Sequence, residues 1–261
     1  MSGTSVRLEK EGAVGVLVLD RPPVNSYEAG FARDLGRAID ELRVDEEVGA
    51  VVLRSASDKF FSAGADVAEF EAGTPRRRWM TVLLMHEALR KMESTPLIFV
   101  AAITGHALGG GLEIALACDL RFGSRGDHRL GLPEVKLGLF PANGGTQRLP
   151  RLVGRSRGLD MIVRGCTVTP DEAGQMGLLD RLLETPELCL QAAMAYAREA
   201  AEGPREAIGR AKITTALGYD LTLDAGNALE REAIGRVFAS EDAREGIRAF
   251  LEKREPRFQG R

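Results

Sequence analysis

Two carboxylates stand where carboxylates are costly. Glu113 lies in "GHALGGGLEIALACDL", residues 105 to 120, directly after three glycines and inside the apolar run of Leu112, Ile114, Ala115, Leu116 and Ala117. Glu134 follows Pro133 in "LGLPEVKLGLF", among Leu130, Leu132, Val135 and Leu137. A carboxyl group in such surroundings either finds a partner or has its pKa raised by desolvation. A raised pKa makes it a usable acid near neutral pH. Two carboxyl groups at one centre, in environments that push their pKa values apart, can divide the acid and base roles. Each has a plainer reading: Glu113 as a residue of a helix first turn, and Glu134 as a solvated loop residue.

The glycines suggest what the carboxylates would act on. Gly109, Gly110 and Gly111 precede a helix-like segment, and a helix N-terminus offers free N–H groups with partial positive charge. A phosphate is one ligand for such a place. The P-loop pattern, however, needs Lys then Ser or Thr where this chain has Gly110 and Gly111, and no G-x-G-x-x-G starts at Gly109 because Ile114 fills its last position. What remains is an oxyanion site for a carbonyl oxygen, or a tight strand-to-helix junction. The stretch "FFSAGAD" offers a second set of donors, with Ala63, Gly64 and Ala65 too small to obstruct a ligand and Asp66 placed to cap the next helix. By itself it also reads as a turn with an N-cap.

Other motifs carry less. Gly154-Arg155-Ser156-Arg157-Gly158 satisfies G-x-S-x-G, but "TQRLPRLVG" before it reads as a short helix with a glycine cap, whereas a nucleophile elbow needs a strand there. His86, His106 and His128 have no metal-like spacing. They read as packing, surface or loop residues, with His106 close enough to the glycines to help shape a pocket. Cys118, Cys166 and Cys189 are far apart in apolar contexts and read as reduced packing residues.

The elements that must position these residues alternate up to about residue 185. Strand-like runs at 14–20, 49–54 and 97–103 and "LRFG" alternate with helix-like runs at 29–44, 66–72 and 76–93 and the glycine helix. This rhythm implies a largely parallel sheet covered by helices. Ligands of such sheets bind outside the carboxyl ends of the strands, where "SDKFFSAGAD" and "TGHALGGG" both fall. After Thr185 the pattern turns helical, over 187–202, 204–217, 221–239 and 241–252. The expected division is therefore an α/β core over 1–185, carrying the ligand loops, and a helical segment over 186–261.

The chain has 261 residues, 35 Lys plus Arg against 38 Asp plus Glu, and a formal charge of -3, with no basic arm. Nucleic acid is not the expected partner. No apolar run is long enough to span a membrane and no signal-peptide pattern is present. The expectation is a cytoplasmic protein with no membrane partner.

Taken together, "FFSAGADVAEF", "AAITGHALGGGLEIALACDLRFGS", "LGLPEVKLGLFPANGGTQRLPRLVG", "DEAGQMGLLDRL" and "AREGIRAFLEKREPRF" resemble, in order, the landmarks of the enoyl-CoA hydratase/isomerase, or crotonase, family. The resemblance covers roughly residues 6–258. It implies an α/β fold, a crotonase-like spiral of ββα units, with a C-terminal helical segment used to form a homotrimer or homohexamer. It also implies an acyl-CoA substrate and no separate cofactor, coenzyme A being part of the substrate, and no metal. On the matching positions, the Ala65 and Gly110 N–H groups look like the oxyanion hole for the thioester oxygen. Ala63, Asp66 and Val67 line the CoA path, and Glu113 and Glu134 match the two catalytic glutamates of the hydratases. The activity this implies is reversible hydration of a trans-2-enoyl-CoA to a 3-hydroxyacyl-CoA in β-oxidation or fatty acid metabolism. A Δ3-Δ2-enoyl-CoA isomerase, a specialised pathway hydratase and a non-catalytic acyl-CoA-binding protein are the alternatives.

The chain departs from the family at several points. Ser26 and Tyr27 stand where Ala and Leu are more usual, Asn143 where a small residue is, and Thr104 where Asn is common. These departures bear on substrate identity more than on the fold.

Overall fold

All six residues of β2 (Val14–Leu19) are buried, the mark of a strand covered on both faces. In the computed structural model, which describes residues 4–261, β2 lies in a six-stranded sheet. Its strands, numbered in chain order, are β1 (Val6–Glu11), β2, β3 (Ala50–Ser55), β5 (Ile98–Ile103), β7 (Leu120–Ser124) and β10 (Arg181–Leu183). They are parallel except for β1, which pairs antiparallel with β2 across a turn at Gly12. A second sheet stacks β4 (Phe60–Ser62), β6 (His106–Leu108), β8 (Leu130–Gly131) and β9 (Thr167–Val168).

The order of both sheets describes a spiral. Each turn of the chain gives one strand to each sheet, β3 then β4, β5 then β6, β7 then β8, and then a helical part. The first turn ends in α2 (Val67–Ala72) and α3 (Pro75–Glu93), the second in α4 (Gly110–Leu116), and the third in α5 (Gly145–Val153) and α6 (Arg155–Arg164). Before the first turn, α1 (Ala29–Val44) is capped by the Glu28 carboxylate, which accepts from the N–H groups of Gly30 and Phe31. Its buried face of Phe31, Leu35, Ile39 and Leu42 joins Leu17, Leu53, Phe99 and Met85 in the larger core.

The opposite face of the six-stranded sheet is covered by one helix. After α7 (Pro170–Gln175) and β10, α8 (Pro186–Glu202) lays Cys189, Ala193, Ala197 and Ala201 on Val14, Val16, Val52, Val100 and Phe122. Its small side chains let the helix approach the sheet closely. The chain ends in α9 (Arg205–Gly218), α10 (Leu223–Val237) and α11 (Glu241–Glu252). Lys212 of α9 is buried and reaches back to the core, donating to Met92 O at 2.7 Å and Leu97 O at 2.6 Å and pairing with Asp119 at 2.8 Å.

The helix-like runs with stated bounds stand where their periodicity predicts, 29–44 and 241–252 to the residue and 66–72, 76–93, 187–202, 204–217 and 221–239 within two residues at each end. The second sheet is a correction: the stretches read as ligand loops each contain a strand, β4 in one and β6 in the other. A run of two or three residues is too short to show period-two alternation. Strands β1, β8, β9 and β10 and helices α6 and α7 have no counterpart among the runs that the sequence pattern marks. Among the described residues no helix is long and apolar enough to cross a membrane, and the three cysteines are unpaired.

Candidate functional site

The site is built where two chain segments leave the second sheet side by side. β4 and β6 are parallel neighbours, so the turns that follow them, at Gly64-Ala65 and Gly109-Gly110, emerge at the same edge. Both turns need glycine. Gly64 has φ +89° and Gly109 φ +54°, a region that side-chain-bearing residues rarely enter. A Cβ on Gly64 would lie 2.8 Å from Leu108 O and 3.0 Å from Gly110 N. The close approach sets the Gly64-Ala65 turn against Gly110, and among the described residues neither the Ala65 nor the Gly110 N–H donates to another group of the chain.

One turn into α4, Glu113 is buried, 1 % exposed. Its Oε1 accepts from the backbone N–H groups of Asn143 and Gly145, both at 2.7 Å. Burial raises its pKa even though these two donors pull it back down. The donors come from "PANGG", where Gly144 takes φ +101° as the chain enters α5. Arg148 of α5 holds this segment in turn, donating to Asn143 O at 2.8 Å while pairing with Glu93 at 2.6 Å. His86 Nε2 lies 2.5 Å from Ala142 O.

Glu134 opens a short 3-10 turn, Glu134–Leu137, that follows β8. Its carboxyl group lies against the glycine turn: a Cβ on Gly109 would stand 2.9 Å from Glu134 Oε1. The other oxygen, Oε2, is buried without a hydrogen-bond partner. Burial pushes the pKa of this carboxyl group up to about 7; a backbone bond offsets part of the rise and the nearby Glu113 charge adds to it. The two carboxyl groups are electrostatically coupled, Glu113 fixed by two amides and Glu134 lying against the Gly109 turn with one oxygen left without a partner.

The remaining residues read from the sequence lie on the rim. Ala63 donates its N–H to Val24 O at 2.9 Å, Asp66 caps α2 by accepting from Glu69 N at 3.3 Å, and Val67 is exposed. Asp66 also accepts from Arg21 at 2.9 Å, and Arg21 donates to Ser26 Oγ at 2.6 Å. Ser26 thereby joins the polar rim.

Four contributors had no clear signal in the sequence: the Gly145 N–H, Arg148, His86 and the phenol of Tyr27. Tyr27 and Asn143 stood out only as departures, yet the Asn143 amide donates to the Tyr27 phenol inside the site. Other motifs fall elsewhere. His106 Nδ1 accepts from Arg129 N at 3.0 Å and its ring lies on Phe60. His128 is buried, and burial lowers its pKa to about 4. Ser156 sits at the start of α6 with α5 before it, so G-x-S-x-G has no strand to project it. Among the described residues no group of three or more His, Cys, Asp or Glu side chains could hold a metal ion.

The chain is similar to known proteins over nearly its whole length. The family described as enoyl-CoA hydratase/isomerase matches residues 9–261. The short-chain-enoyl-CoA hydratase of Clostridium acetobutylicum is 36 % identical over 255 residues, covering 97 % of each chain. The probable enoyl-CoA hydratase of Bacillus subtilis is 35 % identical over 98 % of this chain and 99 % of its own. Among solved structures, that of an enoyl-CoA hydratase from Bacillus anthracis superposes with a TM-score of 0.93 at 31 % identity, covering 98 % of this chain and all of the other. A Geobacillus kaustophilus structure described as "Enoyl-CoA hydrates" reaches 0.97 at 38 % identity, covering 100 % and 98 %. The spiral of strand pairs is therefore the crotonase fold.

Proposed function

The chain belongs to the enoyl-CoA hydratase/isomerase family, and from that premise we propose that it adds water reversibly to a trans-2-enoyl-CoA, giving a 3-hydroxyacyl-CoA. The thioester oxygen accepts from the Ala65 and Gly110 N–H groups, while Ala63, Asp66 and Val67 border the path of the CoA moiety. Coenzyme A enters as part of the substrate, and the proposed chemistry uses only side chains and backbone amides of the protein.

The reaction follows from the two carboxyl environments. Glu113, ionised, takes a proton from water as the water oxygen bonds to C3. The C2=C3 electron pair moves into the thioester, and the negative charge gathers on the oxygen held by the two amides. Glu134, protonated, then delivers its proton to C2. The cycle ends with a proton on Glu113 and none on Glu134, and exchange with solvent restores the starting state. Each oxyanion donor is worth about 3 kcal/mol, roughly a hundredfold in rate.

One observation carries this reading: two carboxyl groups stand beside the glycine turns in different environments, Glu113 Oε1 held by two backbone amides and Glu134 Oε2 buried without a partner. Isomerisation along the chain needs one group to carry a proton between C4 and C2, whereas hydration uses an acid and a base at once. A panel of acyl-CoAs differing in length and double-bond position, with products identified by mass, tests the proposal. 3-Hydroxyacyl-CoA carrying one oxygen from labelled water is expected. Conversion of Δ3 to Δ2 compounds without hydration would favour the isomerase, and tight binding without turnover a binding protein. A homotrimer or homohexamer working in the cytoplasm completes the proposal.

A further inference from the structure

Tyr27 touches each part of the site. Its N–H donates to Gly64 O and its carbonyl accepts from Asp66 N, both at 2.8 Å, so it holds the peptide groups on either side of Ala65. Its ring lies against Gly110, where a Cβ would meet Tyr27 Cε1 at 2.2 Å and the phenol oxygen at 3.0 Å. The phenol oxygen accepts from Asn143 Nδ2. The backbone N–H of the same Asn143 donates to Glu113 Oε1. One residue therefore joins both oxyanion segments, and one hydrogen bond joins that residue to the segment that fixes Glu113.

Packing alone does not account for this pair. Tyr27 is 4 % exposed and Asn143 1 %, and Asn143 Oδ1 is buried with no partner. A buried polar group left unmatched costs free energy that an apolar pair of the same volume would avoid. Turning the amide over keeps the bond, with Tyr27 then donating to Oδ1, but still leaves one amide group unmatched. The hydroxyl and the amide are thus retained at a cost, between two segments that must keep one spacing.

We propose that the Tyr27–Asn143 hydrogen bond is a brace that positions the Glu113 carboxylate relative to the Ala65 and Gly110 N–H donors. Both are positioning residues, acting through Glu113 and the oxyanion turns. The proposal rests on the hydratase reading, in which the base and the oxyanion donors work on the same substrate.

Tyr27→Phe keeps the ring and removes the hydroxyl; Asn143→Ala removes the amide and keeps the backbone N–H to Glu113. With crotonyl-CoA as substrate, each variant is expected to lower kcat by about ten- to a hundredfold, the scale of a small misplacement of a reacting group. KM is expected to stay within about twofold, and the double variant to be no slower than the slower single one, as for two ends of one contact. Ultraviolet absorbance of acetoacetyl-CoA adds a readout independent of turnover: the bound enolate band is expected to weaken in both variants. Thermal melts identify a variant that fails to fold, in which case the other single variant decides. A kcat equal to that of the parent in a folded variant, or losses that multiply in the double variant, would overturn the brace. Failure of the hydratase reading looks different: the parent itself then hydrates no crotonyl-CoA, or Glu113→Gln hydrates it as fast as the parent.

Discussion

Glu134 is held by its surroundings at a pKa of about 7, which places both of its protonation states within reach near neutral pH. As the proton donor for hydration it must be protonated, so the hydration rate should fall as pH rises through about 7. The profile reports the coupled Glu113–Glu134 pair rather than either group alone. The same shift bears on stability. The folded value lies above the ordinary 4.5, so the native state holds a proton that the unfolded chain releases, and stability falls as pH rises from 4.5 to about 7. Glu134→Gln removes this dependence. In thermal melts the variant should gain on the parent across that interval, and a constant difference at all pH values would contradict the assignment. Both glutamates were legible in the sequence because a carboxylate inside an apolar run is conspicuous. Their partners were not: Asn143 lies 30 residues from Glu113 and 116 from Tyr27, and nothing local in "PANGG" or "VNSYE" signals the contact.

At the scale of elements, the site depends on two glycine turns and on the helices that fix its far wall. Gly109 and Gly154 both have positive φ, +54° and +89°, but a Cβ at Gly109 meets Glu134 Oε1 at 2.9 Å and one at Gly154 meets nothing within 4 Å. Alanine at either position should cost about 1–3 kcal/mol of stability through backbone strain. Only Gly109→Ala should also abolish most activity, a difference that melts and initial rates on the two variants will show. The Lys212–Asp119 pair makes a second case. Burial lowers the pKa of Lys212 and raises that of Asp119, so desolvation outweighs their attraction for each. Lys212→Met leaves a carboxylate at a largely buried position and should destabilise by about 3–5 kcal/mol, and Lys212→Met/Asp119→Asn by less. Denaturant unfolding of both variants checks the order. Helices such as α1 and α8 could be read in advance because their apolar stripes run for several turns. The strands β4, β6 and β8 have only two or three residues each, and only the pairing of distant segments reveals them.

Over the whole molecule, the spiral brings residues 65, 110, 113 and 134 from successive turns to one place, and the helical end leaves apolar surface uncovered. Leu223 and Phe238 at α10 and Phe250 and Leu251 in α11 are all more than half exposed, more than isolated surface residues require. We propose that other copies of the chain cover them, and sedimentation should give the mass of three or six chains; a monomer at micromolar concentration would contradict this. Across the expected division at 185/186, α8 packs on the six-stranded sheet of the first part. The central claim is that Glu113 and Glu134 together hydrate an enoyl thioester at the Ala65 and Gly110 amides. Its most direct test follows the loss of conjugated-thioester absorbance of crotonyl-CoA with the parent, Glu113→Gln and Glu134→Gln, each shown by melting to be folded. The parent should convert it to 3-hydroxybutyryl-CoA and each variant should be slower by about a hundredfold or more, whereas parent-like rates in both variants would contradict the account.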